Sequence, residues 1–275
     1  MANPRRVGPW TLRELLKEGG QGRVFKAQKE EGQEPVAVKV LNVSRPKKRA
    51  RFVQEVEVHA SLSAKGASNI IPVLDHNLEE LVDPESGVRG YIAMPLAQWS
   101  LQDLVLGGTF QGRTELCLEI FRGIVTGVGN AHTAEVIHRD IKPANVLFLD
   151  VSLNPLVSDF GICFLKETPE AERLTDAHET VGPKFFMAPE QERGGVTDVD
   201  FSADIYTLGK LLHYMLTGRY LYREKLEEAF SEGELERDKR LNIIQQQILA
   251  RTIIEDSASR IQSARELLEA VESLR

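Results

Sequence analysis

The sequence predicts an α+β protein in which strands come first and helices follow. Residues 10–43 have strand character, clearest in the β-branched, alternating run 35–40, which reads PVAVKV. From Ser100 onward apolar residues recur at spacings of three and four, as on one face of a helix. A chain of 275 residues is long enough for one large or two modest domains with a well-buried core.

Composition and charge narrow the range of partners. The chain has 27% charged and 42% hydrophobic residues, as in globular enzymes, and its net charge of -7 predicts binding to neither nucleic acid nor anionic membrane. Its two cysteines lack a metal-type spacing, which favours a reducing, cytoplasmic setting. Neither a secretory signal nor an apolar run near the ~20 residues of a membrane span occurs. We therefore expect a soluble protein or a domain excised from a longer one.

The first strands enclose a glycine-rich turn. Gly19, Gly20 and Gly22 lie within the run 16–25, which reads LKEGGQGRVF. Glycines let a backbone lie close to phosphates and point its N–H groups at them. An ordinary hairpin is the competing interpretation, because a glycine-rich turn by itself is weak support for a phosphate site.

Lys39 is a charged residue on an otherwise apolar strand. An ammonium group among Val and Ala side chains needs an anionic partner. The alternative is an edge strand from which the lysine extends into solvent.

The next elements are predicted from periodicity. Apolar residues at Phe52, Val56 and Leu62 predict a helix over 49–63. On that helix Glu55 and Glu57 lie about 200° apart, so that only one of them can face the strands. The runs 69–74 (NIIPVL) and 90–94 (GYIAM) predict two more strands.

Two helices are predicted after Ser100, over 101–105 and 116–132. The second contains Gly123, Gly127 and Gly129, which lower its helix propensity and therefore indicate close packing against another segment.

The most informative stretch is 138–145, which reads HRDIKPAN, followed by Asp159-Phe160-Gly161. Taken one at a time, Asp140 could cap a turn, Asn145 could form an Asx-turn, and Asp159 could end a strand. Together, two carboxylates and an amide suit a site where one carboxylate holds a hydroxyl and the others hold Mg²⁺ on a nucleotide.

These motifs resemble the signature set of the eukaryotic-type (Hanks-type) Ser/Thr protein kinases, in particular bacterial ones. The resemblance extends over nearly the whole chain and includes the closing motif Met187-Ala188-Pro189-Glu190. It implies a bilobal protein-kinase fold with a small antiparallel-sheet N-lobe carrying one main helix and a larger, mostly helical C-lobe. The implied boundaries are 1–94 for the N-lobe, 95–99 for the hinge and 100–275 for the C-lobe.

The resemblance also implies the chemistry, which is transfer of the γ-phosphoryl group of ATP, with Mg²⁺, to protein Ser/Thr hydroxyls. Asp140, Lys142 and Lys39 take the catalytic positions, and Asn145 and Asp159 take the metal positions. The nucleotide-binding positions are Gly19, Gly20, Gly22, Val24, Ala37, Lys39, Glu55, Met94, Leu96, Ala97, Asn145, Leu147 and Asp159. Pro95 has no N–H, so the hinge donor to adenine has to be Ala97.

In the family, an Arg at the position of Arg139 binds a phosphorylated activation segment. The resemblance therefore implies autophosphorylation, and Thr168, Thr175 and Thr180 are the available hydroxyls between Asp159 and Glu190. Lys142, two residues after Asp140, matches the Ser/Thr-directed members.

Other matched positions are structural. Asp204 is expected to anchor the catalytic loop through backbone N–H groups. Arg260 is expected to pair with Glu190. Cys163 is interpreted as a packed small residue, with a redox-sensor role as the less favoured alternative.

Three positions depart from the family pattern. Lys17 occupies the place of the first glycine, and Pro183 replaces a threonine beside the catalytic base. His59 stands where an apolar residue is usual, and could be either a partly exposed helix residue or a pH-sensitive switch. These departures leave a pseudokinase scaffold as the main alternative. A small-molecule phosphotransferase ranks last, because such enzymes lack the Ala-Pro-Glu motif and the long activation segment.

Overall fold

A computed structural model describes residues 5–19, 22–41, 46–78, 90–160, 164–165, 185–192, 199–222 and 239–274. Several residues named above lie outside these ranges, namely Gly20, Gly161, Cys163, Thr168, Thr175, Thr180 and Pro183.

A six-stranded antiparallel sheet forms the N-terminal part of the described structure. Its order is β1-β2-β3-β4-β6-β5, where the strands are β1 (Arg6–Val7), β2 (Trp10–Gly19), β3 (Gly22–Gln28), β4 (Val36–Val40), β5 (Asp75–Asn77) and β6 (Tyr91–Pro95). The strands predicted within 10–43 and over 90–94 are therefore confirmed.

The alternation of β4 divides its side chains between two layers. Val38 and Val40 pack with Trp10 and Tyr91 on one face of the sheet. Ala37 lies on the other face, in a cluster with residues of α1 (Pro46–Ala64), so that the sheet and the helix enclose a small core. Lys39 projects from this second face, between the sheet and α1.

The strand predicted over 69–74 is wrong. Ile70 makes only an isolated bridge to Val157, and regular pairing begins at β5. Asn69 has a positive φ of 58°, and Pro72 has no N–H to give to a ladder. The run instead joins two parts of the molecule, because Ile71 N–H donates to the Val157 carbonyl and Leu74 N–H donates to the Ala93 carbonyl.

The remainder is mostly helical around one large apolar core. Its helices are α2 (Leu101–Leu106), α3 (Thr114–Thr133), α4 (Pro189–Glu192), α5 (Phe201–Thr217), α6 (Lys239–Ile244), α7 (Ala250–Thr252) and α8 (Ala264–Glu272), with a π-helical segment over Gln245–Leu249. Among the helices that the structure describes, none has both the length and the apolar character needed to cross a bilayer.

Both predicted helices after Ser100 are present, and the glycines of α3 do mark close packing. A β-carbon on Gly123 would collide with Pro155, and one on Gly127 would collide with the backbone of Asn69. The helix therefore lies directly against the segments that contain Asn69 and Pro155.

Short strands hold residues 138–145 in place, which we call the catalytic stretch because it contains the candidate catalytic residues Asp140 and Lys142. β9 (Val146–Phe148) pairs with β7 (Trp99–Ser100) and with β10 (Leu156–Val157), and β8 (Val136–Ile137) pairs with β11 (Phe164–Leu165). Residues 138–145 lie between β8 and β9, and Asp159 follows two residues after β10. Both ends of the stretch are thus fixed by ladders.

Candidate active site

Lys39 connects the sheet, α1 and the segment after β10. Its ammonium group donates to Glu55 Oε1 and, at 2.8 Å, to Asp159 Oδ1. Lys39 and Glu55 are buried, whereas Glu57 is exposed, as the helical geometry predicts. The anionic partners expected for the strand lysine are therefore present, and the interpretation of Lys39 as a solvent-exposed edge residue is wrong.

The buried ammonium group of Lys39 thus binds the carboxylates of both Glu55 and Asp159. Burial favours the neutral form of Lys39, but the charges of Asp159 and Glu55 outweigh it and raise its pKa above the ordinary value. Burial would likewise raise the pKa of Asp159, yet the Lys39 ammonium holds that pKa well below its usual range. For Glu55, burial prevails over the attraction of Lys39 and raises the pKa to about 7.

Asp140, Lys142 and Asn145 contact one another within the stretch 138–145. Lys142 Nζ lies 2.5 Å from Asp140 Oδ2. Asn145 Nδ2 donates to the backbone carbonyl of Asp140 at 2.9 Å and to its Oδ2 at 3.1 Å. Two donors therefore orient one carboxylate, and the interpretation of each residue as an isolated turn residue is set aside.

The carbonyl oxygen of the Asn145 side chain is available for a metal ion. This buried Oδ1 atom has no hydrogen-bond partner within the described structure. Leaving such an oxygen without a partner is costly. Amide and carboxylate oxygens are ligands that suit Mg²⁺. The oxygen set of Asn145 and Asp159 therefore fits that ion.

Ser158 fixes Asn145 relative to Asp159 and was not identified from the sequence. Its backbone N–H and its hydroxyl both donate to the backbone carbonyl of Asn145, at 2.9 and 3.0 Å. The sequence offered only one signal, a small hydroxyl residue directly before Asp159.

Asp204 organises the backbone of the catalytic stretch, as expected. It lies in the first turn of α5, whose N-cap is Asp200. Its carboxylate accepts the backbone N–H groups of His138 at 2.8 Å and Arg139 at 2.9 Å, and it also lies 2.8 Å from His132 Nε2. Arg139 has a φ of 66°, a left-handed conformation that such contacts must hold in place.

His59 is buried, so the interpretation as a partly exposed helix residue is wrong. Its Nε2 lies 2.6 Å from the Ile71 carbonyl, and burial lowers its pKa to about 4. Its ring centroid lies 5.2 Å from that of Phe160, and the Phe160 centroid lies 4.8 Å from that of His138. Phe160 therefore contacts one ring from α1 and one from the catalytic stretch.

Part of this cluster lines a cleft of about 370 Å³, within the range of small-molecule sites. Asp140 and Lys142 are not among its lining residues, and Asp140 is connected to the cleft by its contact with Asn145. Ten of the nucleotide-binding residues expected from the sequence line it, namely Val24, Ala37, Lys39, Glu55, Met94, Leu96, Ala97, Asn145, Leu147 and Asp159. Leu16 and Lys17 also line the cleft and were not among them.

Gly19 and Gly22 do not line the cleft as described. Gly22 has a local reason to be glycine, because a β-carbon there would lie 2.5 Å from the Val40 carbonyl oxygen. The glycine therefore permits β3 to approach β4 closely, independently of any phosphate.

Glu190 and Arg260 form the expected bidentate pair, at 2.6 and 2.9 Å. Arg260 also donates to the carbonyls of Ile254, Ser202 and Glu255. Beside Glu190, Gln191 donates to the Arg139 carbonyl at 3.0 Å. The closing motif is thus attached both to the helical core and to the catalytic stretch.

Comparison with known proteins identifies related chains. The chain is 35% identical over 222 residues to the DNA damage-responsive serine/threonine-protein kinase RqkA of Deinococcus radiodurans, covering 77% of this chain and 30% of RqkA. It is 34% identical over 223 residues to serine/threonine-protein kinase A of Synechocystis, covering 76% of this chain and 40% of the relative. The chain thus spans well under half the length of either protein.

The fold has solved counterparts. The kinase domain of Mycobacterium tuberculosis PknI superposes with a TM-score of 0.69 at 23% identity, covering 100% of this chain and 99% of that structure. The family model described as "Protein kinase domain" matches residues 10–274. With the fold, the cleft and this match in agreement, the chain belongs to the protein kinase domain family.

Proposed function

We propose that this chain transfers the γ-phosphoryl group of ATP, with Mg²⁺, to Ser/Thr hydroxyls of proteins. The observation that carries the proposal is that Lys39, Asn145 and Asp159 line one cleft, and that Asp140 adjoins it through its contact with Asn145. Lys39 and Asp159 are linked at 2.8 Å, and Asn145 lies 3.1 Å from Asp140. Three separate segments of the chain supply these groups, namely β4, the stretch 138–145 and the residues that follow β10.

The two ends of the cleft suit the two parts of ATP. Ala37, Met94, Leu96 and Leu147 supply an apolar slot for a purine ring, next to the backbone of Ala97. Lys39 marks the polar end, where the triphosphate belongs. We assign the segment 95–99 as the hinge between lobes 1–94 and 100–275.

In the transfer step the substrate hydroxyl oxygen bonds to the γ-phosphorus while the bond from that phosphorus to the bridging oxygen of ADP breaks. Asp140 orients the hydroxyl and receives its proton, and Lys142 neutralises the charge of the transferred group. The contacts of Lys142 and Asn145 with Asp140 support these roles, since they hold the carboxylate in one orientation.

Asn145 and Asp159 would hold Mg²⁺, which supplies charge neutralisation of the phosphates when bound. The Asn145 oxygen without a hydrogen-bond partner and the lowered pKa of Asp159 support this assignment, because both favour an oxygen ready to bind a cation. Ser158 lies directly before Asp159, and its hydroxyl binds the backbone carbonyl of Asn145, so that it holds these two residues close together.

Selectivity for Ser/Thr is inferred from two features. Lys142 stands two residues after Asp140, the spacing of Ser/Thr-directed kinases, and both relatives described above are named serine/threonine-protein kinases. We further propose autophosphorylation between Asp159 and Glu190, with Arg139 binding the modified segment. Mass spectrometry after incubation with MgATP should find phosphate there. Full activity with that segment unmodified would contradict the role given to Arg139.

Radiolabel transfer from γ-labelled ATP tests the activity, with casein and the chain itself as acceptors. Asp140→Asn and Lys39→Met should each lower transfer about 100-fold or more. Asp150→Asn, in the exposed turn after β9, and Lys65→Met, beyond α1, are the matched controls and should retain activity. Transfer by the native chain no greater than by Asp140→Asn would contradict the proposal and favour the pseudokinase alternative.

A further inference from the structure

Lys17 faces the cleft because β2 contains a bulge. The pairing of β2 with β3 shifts between Leu15 and Lys17, so that Leu15 lies opposite Phe25 and Lys17 lies opposite Val24. The extra residue turns Lys17 onto the face of the sheet that Val24 occupies. Lys17 is accordingly among the residues that line the cleft.

Lys17, Val24 and Lys39 form one row across three strands. Val24 lies opposite Lys17 on one side and opposite Lys39 on the other. Residues directly opposite each other in an antiparallel sheet project from the same face. At a strand spacing of about 4.8 Å, the two lysine backbones are roughly 10 Å apart. An anion below Val24 can therefore be reached by both ammonium groups.

Two neighbouring lysines, Lys39 in the cleft and Lys142 in the stretch 138–145, already bind carboxylates. Lys39 binds Glu55 and Asp159, and Lys142 binds Asp140. Within the described residues, no hydrogen bond or ion pair engages the Lys17 ammonium group. The adjacent Glu18 is paired with Arg23 at 2.7 Å. Lys17 is thus a cation of the cleft that is available to a ligand.

We propose that Lys17 is a phosphate-binding residue that contacts the terminal phosphates of ATP from the sheet side of the cleft. The family pattern has a flexible glycine at this position, whereas Lys17 supplies a positively charged side chain. The proposal rests on the proposed function for the identity of the ligand, and it adds a residue that the family pattern does not supply.

Calorimetric titration of the whole chain with MgATP, MgADP and adenosine tests this role without depending on turnover. Lys17→Met should weaken MgATP binding about fivefold, which is the upper range for an exposed ion pair. Adenosine binding should be unchanged, because it lacks phosphates. Lys17→Arg should bind MgATP within about twofold of the native chain, since the charge is kept.

Lys26→Met is the matched control. Lys26 lies on the neighbouring strand β3, opposite Ala37 of β4, but it does not line the cleft. It should bind MgATP as the native chain does. The difference between Lys17→Met and the native chain should shrink as salt is raised from about 50 mM to about 500 mM, because exposed charges are screened.

The possible results separate the two proposals. Equal MgATP affinities of the native chain, Lys17→Met and a second neutral variant, Lys17→Gln, would overturn the assignment of Lys17 alone. An equal loss of MgATP and adenosine binding would also overturn it, because Lys17 would then shape the purine slot. Failure of the native chain to bind MgATP would contradict the proposed function and the role of Lys17 with it.

Discussion

Asp204 binds the backbone N–H of His138 at 2.8 Å, and through this contact α5 determines the position of the catalytic stretch. A second bond, to the Arg139 N–H, keeps that residue at a positive φ. The carboxylate is fully buried, and although burial alone would raise its pKa, hydrogen bonding and the charge of His132 lower it.

Asp204→Asn should lower the free energy of unfolding by about 2 kcal/mol, because an amide cannot accept both backbone bonds and also pair with His132. Transfer activity should fall by more than the fraction of unfolded protein accounts for, because the catalytic stretch would lose its orientation. Chemical denaturation and labelled-ATP assays at a temperature where the variant is folded measure the two effects. Asp150→Asn serves as control, and an equal result for both variants would refute this role.

The bidentate pair of Glu190 and Arg260 should be sensitive to the shape of the cation. Arg260→Lys keeps the charge but loses the planar fork and the bonds to three carbonyls, so it should cost about 2–3 kcal/mol of unfolding free energy. The exposed pair of Arg265 and Glu269 is the matched comparison, and Arg265→Lys should cost less than about 0.5 kcal/mol. Thermal and urea denaturation would measure the difference, and similar losses would show that Arg260 is not a structural anchor.

His59 should make the fold acid-sensitive. Its pKa is lowered to about 4 by burial, from an ordinary value of 6.5. Below pH 6.5 the unfolded chain binds a proton that the folded chain excludes, so stability is present above that pH and is lost as pH falls toward 4. The loss should reach about 3 kcal/mol.

In His59→Leu, the decline in unfolding free energy between about pH 6.5 and 4 should be shallower than in the native chain, whatever the absolute stability of the variant. His76→Leu, at an exposed position, should keep the native slope. Urea titrations across that pH range provide the measurement. If the unfolding free energy of the native chain and that of His59→Leu fell equally with pH, the proposal that His59 is buried in its neutral form would be contradicted.

The glycines of α3 should respond differently to the same substitution. Gly127→Ala places a methyl group against the Asn69 carbonyl and should destabilise by about 1–3 kcal/mol in spite of the better helix propensity. At Gly129 the nearest atom is the Ala264 side chain at 3.4 Å, so Gly129→Ala should be neutral or stabilising by up to about 1 kcal/mol. Chemical denaturation of both variants measures their unfolding free energies. A Gly127→Ala variant more stable than Gly129→Ala would contradict the packing described for α3.

The sequence predicted much of the site because each functional group lies within a short motif. The spacing of Asp140, Lys142 and Asn145 is fixed inside one loop, so local pattern was sufficient to bring them together. Glu55 followed from helix periodicity, since only one face of α1 can meet the strands.

Features that depend on contacts between distant segments could not be predicted in this way. The run 69–74 has strand composition, but its backbone bonds go to Val157 and Ala93 instead of to a regular ladder. The burial of His59 depends on Phe160, which is a hundred residues away in the chain. The orientation of Lys17 depends on a bulge whose position only the pairing of β2 with β3 reveals.

The double attachment of Ser158 to Asn145 has a consequence for the loop between β9 and β10. Because these bonds close the base of the hairpin, we expect its distal tip to have little influence on the geometry of the candidate metal ligands. Val151, 82% exposed, lies at that tip. An epitope or fluorophore inserted there should therefore label the domain and leave the candidate catalytic residues in place.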